Sequence, residues 1–422
     1  MLRSLVDRFN WKGAGQIYSL PWIRNRLEYS ADPQRVKQYL QGTKVTRSQL
    51  TRDMLSRFHL SHNSIVVSDD AHARLLRNIF QDCVPPAERY AGIARELVDQ
   101  VFVAGESEQL QLSSRLIPVM YLSLLSNLLG AEVLTSLREH VRQIDFKPGT
   151  RPMHLDGLMY AAGMQFPGMG FMRNVIDWAF FKNDHYTRKI AARLERMVFE
   201  FATPRKGSWY AHLIALRQNG KLSRAQFRGE LTSMLVSSYA LSAAMSSMLL
   251  CLAARPEYVA LIREDGVYAR HFVNEVLRLY PPFRQFGYEE KGVWEKTGRA
   301  KDDVTDFMVS VFGLHRNEQV WPDADHFRPE RFMDADAAKG CKFMPFGLGK
   351  RSCTGRVYSM SLMVEALRYV CSEACHLQLD LPDDYLSDYI GLPLGTNGRL
   401  VSFPVDDRIV ARRALAVQAV AG

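Results

Sequence analysis

Apolar positions in this chain recur mostly at helical spacing, three and four residues apart, from about Asp32 to about Leu377. That recurrence predicts helices over Ala31–Phe58, Asp69–Phe80, Pro86–Val103, Leu110–Arg142, Asp184–Ala202, Ala225–Ala254, Glu257–Glu264, Tyr268–Tyr280 and Val357–Ala374. Asp69 and Pro86 suit a first helical turn, and the pair Pro281-Pro282 stops the helix before it because proline lacks an N–H and clashes with the preceding turn. Strand-like stretches are few and short: Ser64–Ser68, Asp306–Leu314, Leu377–Leu379 and Arg399–Pro404. The pattern predicts a mainly α fold with a small β component. No Pro/Gly/Ser-rich run, repeat or low-complexity tract divides it, so residues 1–422 read as a single large domain.

One stretch departs from amphipathic spacing. Leu231–Ala254 carries no charged residue and is long enough to cross a bilayer. It is crowded with serines, however, and lies far inside the chain. A central helix buried within a large helical protein accounts for it, so no membrane span is expected. Met1–Arg24 has apolar residues interrupted by Arg3, Asp7, Arg8 and Lys12, which shows neither a leader nor an anchor and points to the cytoplasm.

Charge changes this picture little. The formal net charge is +9, but the basic residues are scattered and no Lys/Arg run is interleaved with aromatics, which argues against nucleic acid as a partner. Six irregularly spaced cysteines in a chain of this length fit reduced thiols rather than a disulfide framework.

The candidate chemistry centres on Phe346-Gly347-Leu348-Gly349-Lys350-Arg351-Ser352-Cys353-Thr354-Gly355. A cysteine binds iron as a thiolate and needs surroundings that stabilise the negative sulfur. Glycines ahead of it allow a tight turn that brings N–H groups near the sulfur, and the helix beginning just after it presents its positive end. A lone cysteine is more often an ordinary buried residue. Here the aromatic, the glycines, the basic residue and the cysteine all fit one template: the segment resembles the haem-binding loop of the cytochrome P450 superfamily. Glu275-Val276-Leu277-Arg278 resembles that family's Glu-x-x-Arg pair, and Arg331 in Phe327-Arg328-Pro329-Glu330-Arg331-Phe332 resembles the third member of the same support for the loop.

The resemblance implies the haem-thiolate fold with a long central helix across the distal face of haem b. It implies Cys353 as the axial ligand of iron, Arg351 and His72 as partners of the haem propionates, and Phe346 and Gly347 as part of the cofactor loop. Asp69–Arg77 resembles the helix that gives a His and an Arg to a propionate, but Leu76 stands where the Arg is usual, and Arg77, one step on, is the candidate replacement. Tyr288 occupies the position closest to a further propionate ligand, with Arg284 as a possible compensation.

The distal helix departs further. Where the family usually has a small residue, Gly, any residue, an acid and Thr, this chain has Val236-Ser237-Ser238-Tyr239-Ala240. The acid–alcohol pair that relays protons is missing, a contribution of roughly 10²–10⁴-fold for general acid catalysis. Ser237, Tyr239, Ala240 and Ser242 are the candidate catalytic positions, with Ser237, Ala240, Leu241 and Ala244 on one face. Three chemistries are open: monooxygenation with a substrate hydroxyl or ordered water relaying protons, a peroxide-driven reaction, or a different haem reaction such as isomerisation, dehydration or coupling. Beside them stands an inactive or haem-sensing protein. Cys371, Cys375 and His376 form a compact trio that reads as helix packing rather than a metal site. With no flavin or iron–sulfur module in the chain, the expected partners are a small organic substrate and a separate ferredoxin or flavodoxin with its reductase. Lys350, Arg351 and Arg356 are the candidate docking face for that electron carrier.

Overall fold

The structure is a computed structural model, and it describes residues 16–18, 26–42, 45–47, 65, 71–144, 182–290, 305–349, 352–385, 394–397, 401–404 and 406–415; at some of these the backbone alone is described. The helices are α1 Pro33–Gly42, α2 Ala71–Asp82, α3 Tyr90–Val101, α4 Leu112–Ser123, α5 Thr135–Arg142, α6 Lys182–Phe201, α7 Trp209–Gln218, α8 Arg224–Ala253, α9 Glu257–Glu264, α10 Tyr268–Leu279 and α11 Arg356–Cys371. The strands are β1 Gln16–Tyr18, β2 Arg26–Ser30, β3 Val45–Arg47, β4 Ser107–Gln111, β5 Ala131–Val133, β6 Ala202–Pro204, β7 Gln285–Glu290, β8 Thr305–Ser310, β9 Leu377–Asp380, β10 Leu394–Asn397, β11 Val401–Pro404 and β12 Arg408–Arg413. The fold is mainly α, as the apolar periodicity implied.

The differences from the expected elements have local causes. The helix expected over Ala31–Phe58 ends at Gly42, and the chain enters β3 through the β-branched Val45 and Thr46. The expected continuous helix over Leu110–Arg142 is divided into β4, α4, a π-turn Leu124–Leu129, β5 and α5. Gly130 makes that break: its φ of 76° lies in the left-handed region, and a Cβ there would meet the Ser208 Cβ at 2.4 Å. The strand expected over Asp306–Leu314 stops at Ser310, whose side chain caps a short helical turn by accepting the Gly313 N–H at 3.0 Å. Of the strand expected over Ser64–Ser68, only Ile65 is among the described residues, and it lies in a turn.

Helix α8 is the organising element. Its start is a capping box, with Ser223 Oγ accepting the Gln226 N–H at 3.2 Å and Gln226 Oε1 accepting the Ser223 N–H at 2.8 Å. It packs against α4, α10 and β11, inside one continuous apolar core that runs from Ile65 to Ala411. Two helical runs, Leu112–Leu129 and Arg224–Ala253, are long and apolar enough to cross a membrane, yet 72% and 83% of their most apolar windows are buried inside the protein. Their apolar character on every side follows from that central position.

The largest sheet among the described residues has the order β1-β2-β8-β7-β3, with β2 and β8 parallel and the other pairs antiparallel. It carries Gln285, Phe286, Gly287 and Met308 to one wall of the cavity described next.

Candidate haem site

The loop before α11 is shaped by its glycines. Gly347 and Gly349 take φ of 69° and 64°, backbone angles that residues with a Cβ rarely adopt. The turn closes when the Cys353 N–H donates to the Phe346 carbonyl at 2.8 Å and the Gly347 N–H donates to Met344 at 3.0 Å. Cys353 then stands three residues ahead of Arg356, the first residue of α11. Of the six cysteines it is the one classed as exposed, and its surroundings are a cavity of about 220 Å³ rather than open surface.

That cavity has two principal walls. One is the cysteine loop and α11, through Phe346, Cys353, Thr354, Gly355 and Tyr358. The other is a single face of α8, through Glu230, Ser233, Ser237, Ala240, Leu241 and Ala244. A thiol facing small side chains across an apolar space is what a flat iron macrocycle needs: a ligand on one side and close helix approach on the other. The residues present therefore fit haem, and Cys353 is the one that would hold its iron.

The loop is anchored from beneath. Glu275 and Arg278, both fully buried, share a face of α10 and form a bidentate pair, with Arg278 Nε and Nη2 each 2.7 Å from the carboxylate oxygens. Arg278 also donates to the carbonyls of His315 at 2.6 Å, Ala324 at 2.7 Å and His326 at 3.2 Å. Glu275 Oε1 accepts the Arg328 N–H at 2.8 Å and lies 3.5 Å from Arg331 Nε, so the third member is in place.

His315 connects this cluster to the loop. Its Nδ1 lies 3.1 Å from the Arg278 carbonyl, and its Nε2 accepts the Met344 N–H at 3.0 Å, two residues before Phe346. These contacts require the neutral Nδ1–H tautomer. Burial first, then the Arg278 charge, lowers the pKa of His315 from 6.5 to about 3. A histidine depressed in the folded state contributes stability that is fully present above its unfolded pKa and is lost as pH falls toward the folded value. The midpoint of urea unfolding should therefore decline as pH drops below about 6.5 toward 3. His315→Gln, which keeps a donor and an acceptor, should show a shallower decline; an identical pH profile would remove His315 from this role.

The other expected site residues separate. Ser237 and Ala240 line the cavity, together with Leu241 and Ala244 of the same expected face. Tyr239 and Ser242 do not: Tyr239 packs edge-on against Phe403 of β11, and Ser242 is fully buried away from the cavity. Rotation by two positions along a helix carries a side chain to the far face, so these two serve packing. Arg77 lines the cavity, while Leu76 is fully buried in the core. Burial lowers the Arg77 pKa, with Glu230 and Cys353 both within electrostatic reach. Arg284 and Tyr288 are absent from the cavity wall: the first lies over the Phe312 ring at 4.6 Å and the second is buried in a separate cluster. Lys350 and Arg351 lie outside the described residues; His72 is the second residue of α2, and its side chain lies outside them too. Cys371 ends α11 and Cys375 falls in the following 3₁₀ turn, so they do not share a helix face, and burial pushes the Cys371 thiol up to about 12.

The missed residue is Glu230. The charge-free run begins one position after it, but the face that holds Ser237, Leu241 and Ala244 reaches Glu230 two turns earlier. Continuing the same periodicity backwards would have found it.

Comparison with known proteins agrees with this geometry. The profile of the cytochrome P450 family matches residues 184–367. Curated relatives include the taurochenodeoxycholic 6 alpha-hydroxylase of Sus scrofa, 33% identical over 172 residues that make up 36% of this chain and 34% of that protein. Cytochrome P450 4B1 of Rattus norvegicus is 32% identical over 165 residues, 34% of this chain and 32% of its own. The match thus spans about a third of the length of these relatives. Among solved structures, CYP175A1 from Thermus thermophillus superposes with a TM-score of 0.68 at 20% identity, covering 97% of this chain and 95% of that one. A six-coordinated cytochrome P450 from Thermus thermophilus gives 0.62 at 20% identity, with 95% and 97% covered. The fold and its cavity are those of a haem-thiolate protein. Residues 184–367 match the cytochrome P450 family, and the chain takes the cytochrome P450 fold; the cofactor of that family is haem with its iron held by a cysteine thiolate.

Proposed function

We propose that this protein is a haem-thiolate monooxygenase that oxidises a small organic molecule in specialised metabolism, with Cys353 as the residue that would hold the haem iron. The observation that carries this reading is the Cys353 side chain, exposed to a cavity whose opposite wall is the small-residue face of α8. Haem bound through a thiolate supplies activation of dioxygen and transfer of one oxygen atom to substrate. The chain's own residues do the remaining work. Arg77, at the cavity wall, would pair with a haem propionate, as Arg351 and His72 would. Phe80, Trp209, Leu241 and Phe283 exclude water from the reacting region. The distal segment Val236–Ala240 offers no acid–alcohol pair, so a substrate hydroxyl or ordered water beside Ser237 passes the protons.

Electrons come from a separate ferredoxin or flavodoxin, and the whole cycle runs in the cytoplasm. Arg356 is exposed at the start of α11, beside the cysteine loop, where an acidic carrier approaches closest to the iron ligand. A second reading, a haem-thiolate enzyme that does not oxygenate, is favoured by one observation: Tyr239 turns away from the cavity and Ala240 brings no hydroxyl to it.

Turnover of cyclohexane and cyclohexanone under isotopically labelled dioxygen tests the proposal. A ferredoxin–reductase pair with NADPH should drive incorporation of one labelled oxygen atom per product. Faster turnover with hydrogen peroxide alone would overturn it in favour of the peroxide-driven reaction.

A further inference from the structure

Glu230 is the one carboxylate among the described residues that line the cavity, and Arg77 is the one cation. Glu230 is fully buried, 0% exposed. Its Oε1 accepts the Ile65 N–H at 2.8 Å. Its Oε2 is buried and meets no hydrogen-bond partner among the described residues. A buried polar atom in that condition carries a desolvation penalty, which a bound molecule with a suitable oxygen removes. The neighbouring cavity residues Phe80, Trp209, Ser233 and Met234 are uncharged. Arg77 donates through Nη2 to the Ile65 carbonyl at 2.9 Å, so the two charged residues hold opposite ends of the same backbone unit.

We infer that Glu230 is the polar anchor of the substrate site, donating from Oε2 to a carbonyl or hydroxyl oxygen on an otherwise apolar molecule. Burial supports the donor role by pushing the carboxyl up to about 8, against the pull of the Ile65 N–H and the Arg77 charge. With Oε1 already accepting from Ile65, the proton resides on Oε2. An ammonium carries only donors and cannot accept this O–H, which selects a neutral oxygen compound as the ligand class. The inference rests on the functional reading above only in calling that ligand the substrate.

Calorimetric titration of the haem-loaded protein with cyclohexane, cyclohexanol and cyclohexanone tests it without any turnover. The three probes share a carbon frame, and the ratio of the cyclohexane Kd to the ketone or alcohol Kd isolates the oxygen. Glu230→Leu should lower that ratio about five- to tenfold, the worth of one hydrogen bond. Glu230→Gln, whose Nε2 donates from the same place, should retain it. In the wild type the ketone ratio should fall as pH rises through about 8 and the O–H is lost, while the alcohol, whose own O–H can donate to the carboxylate, should hold its ratio; Glu230→Gln should be flat for both over that range. A role confined to holding Ile65 would weaken all three probes together and leave the ratio unmoved. An unchanged ratio in Glu230→Leu, or a Glu230→Gln that loses it as fully as Glu230→Leu does, overturns the inference. Failure of the monooxygenase reading shows elsewhere, in absent label incorporation, and leaves this ratio readable.

Discussion

Cys353→Ala is expected to abolish the red-shifted Soret band of the reduced, carbon-monoxide-bound protein and to leave the chain without stable haem. The substitution removes a sulfur and little else. The loop's closing bond uses the residue 353 N–H, which alanine retains, and the turns at Gly347 and Gly349 do not involve the side chain. No other cysteine can take its place. Cys251, Cys341, Cys371 and Cys375 are buried, and burial pushes the Cys251 and Cys371 thiols up to about 12. Cys83 donates to the Gly207 carbonyl at 3.5 Å and does not reach the cavity wall. Loss of an outer-shell partner costs roughly 10–100-fold in metal affinity, so loss of the ligand itself should exceed that. Haem content and the carbon monoxide difference spectrum check it, with far-ultraviolet circular dichroism confirming that the variant folds. A variant that keeps the band would remove Cys353 as the ligand.

The cofactor side of the site was legible because its physics is local. A left-handed turn demands Gly347 and Gly349, a helix start follows the thiol, and Glu275 and Arg278 are close enough in sequence to share a helix face. The cavity side was less so. Glu230 precedes a charge-free run, and a buried acid defies the rule that charged residues lie outside. Tyr239 and Ser242 look like candidates in a linear string, yet only helix phase decides which residues meet the cavity. The link through His315 joins residues 278, 315 and 344, and its partners are backbone atoms that carry no sequence signal. The same holds for the sheet. Strand β2 pairs in parallel with β8, Arg26 opposite Thr305 and Ser30 opposite Val309, a register set by tertiary contacts across most of the chain. Short strands such as β5 and β6, three residues each, offer too few positions for alternation to show.

Arg278→Ala should destabilise the protein by about 3–5 kcal/mol, the usual cost of leaving one partner of a buried ion pair alone. The loss arises at both ends. Glu275 keeps the Arg328 N–H but loses both guanidinium bonds, and the carbonyls of His315, Ala324 and His326 lose their common donor. Buried ion pairs can sometimes be replaced by apolar residues without penalty. That exchange should fail here, because Glu275→Leu with Arg278→Leu still strands the His315 and Ala324 carbonyls and the Arg328 N–H, each worth roughly 1–3 kcal/mol when left unpaired, while the His326 carbonyl keeps Arg331. Arg278→Lys should fall between, since one ammonium cannot reproduce a planar fork that reaches a carboxylate and three carbonyls together. Urea unfolding measures the stability, and haem retention measures the consequence at the cysteine loop. His315 takes its orientation from the Arg278 carbonyl and passes it to Met344, so a displaced α10 end shifts the turn that presents Cys353. Haem should therefore be lost from Arg278→Lys at urea concentrations below those that unfold the helices. If haem loss and unfolding coincide in Arg278→Lys, the cluster stabilises the fold without steering the ligand loop.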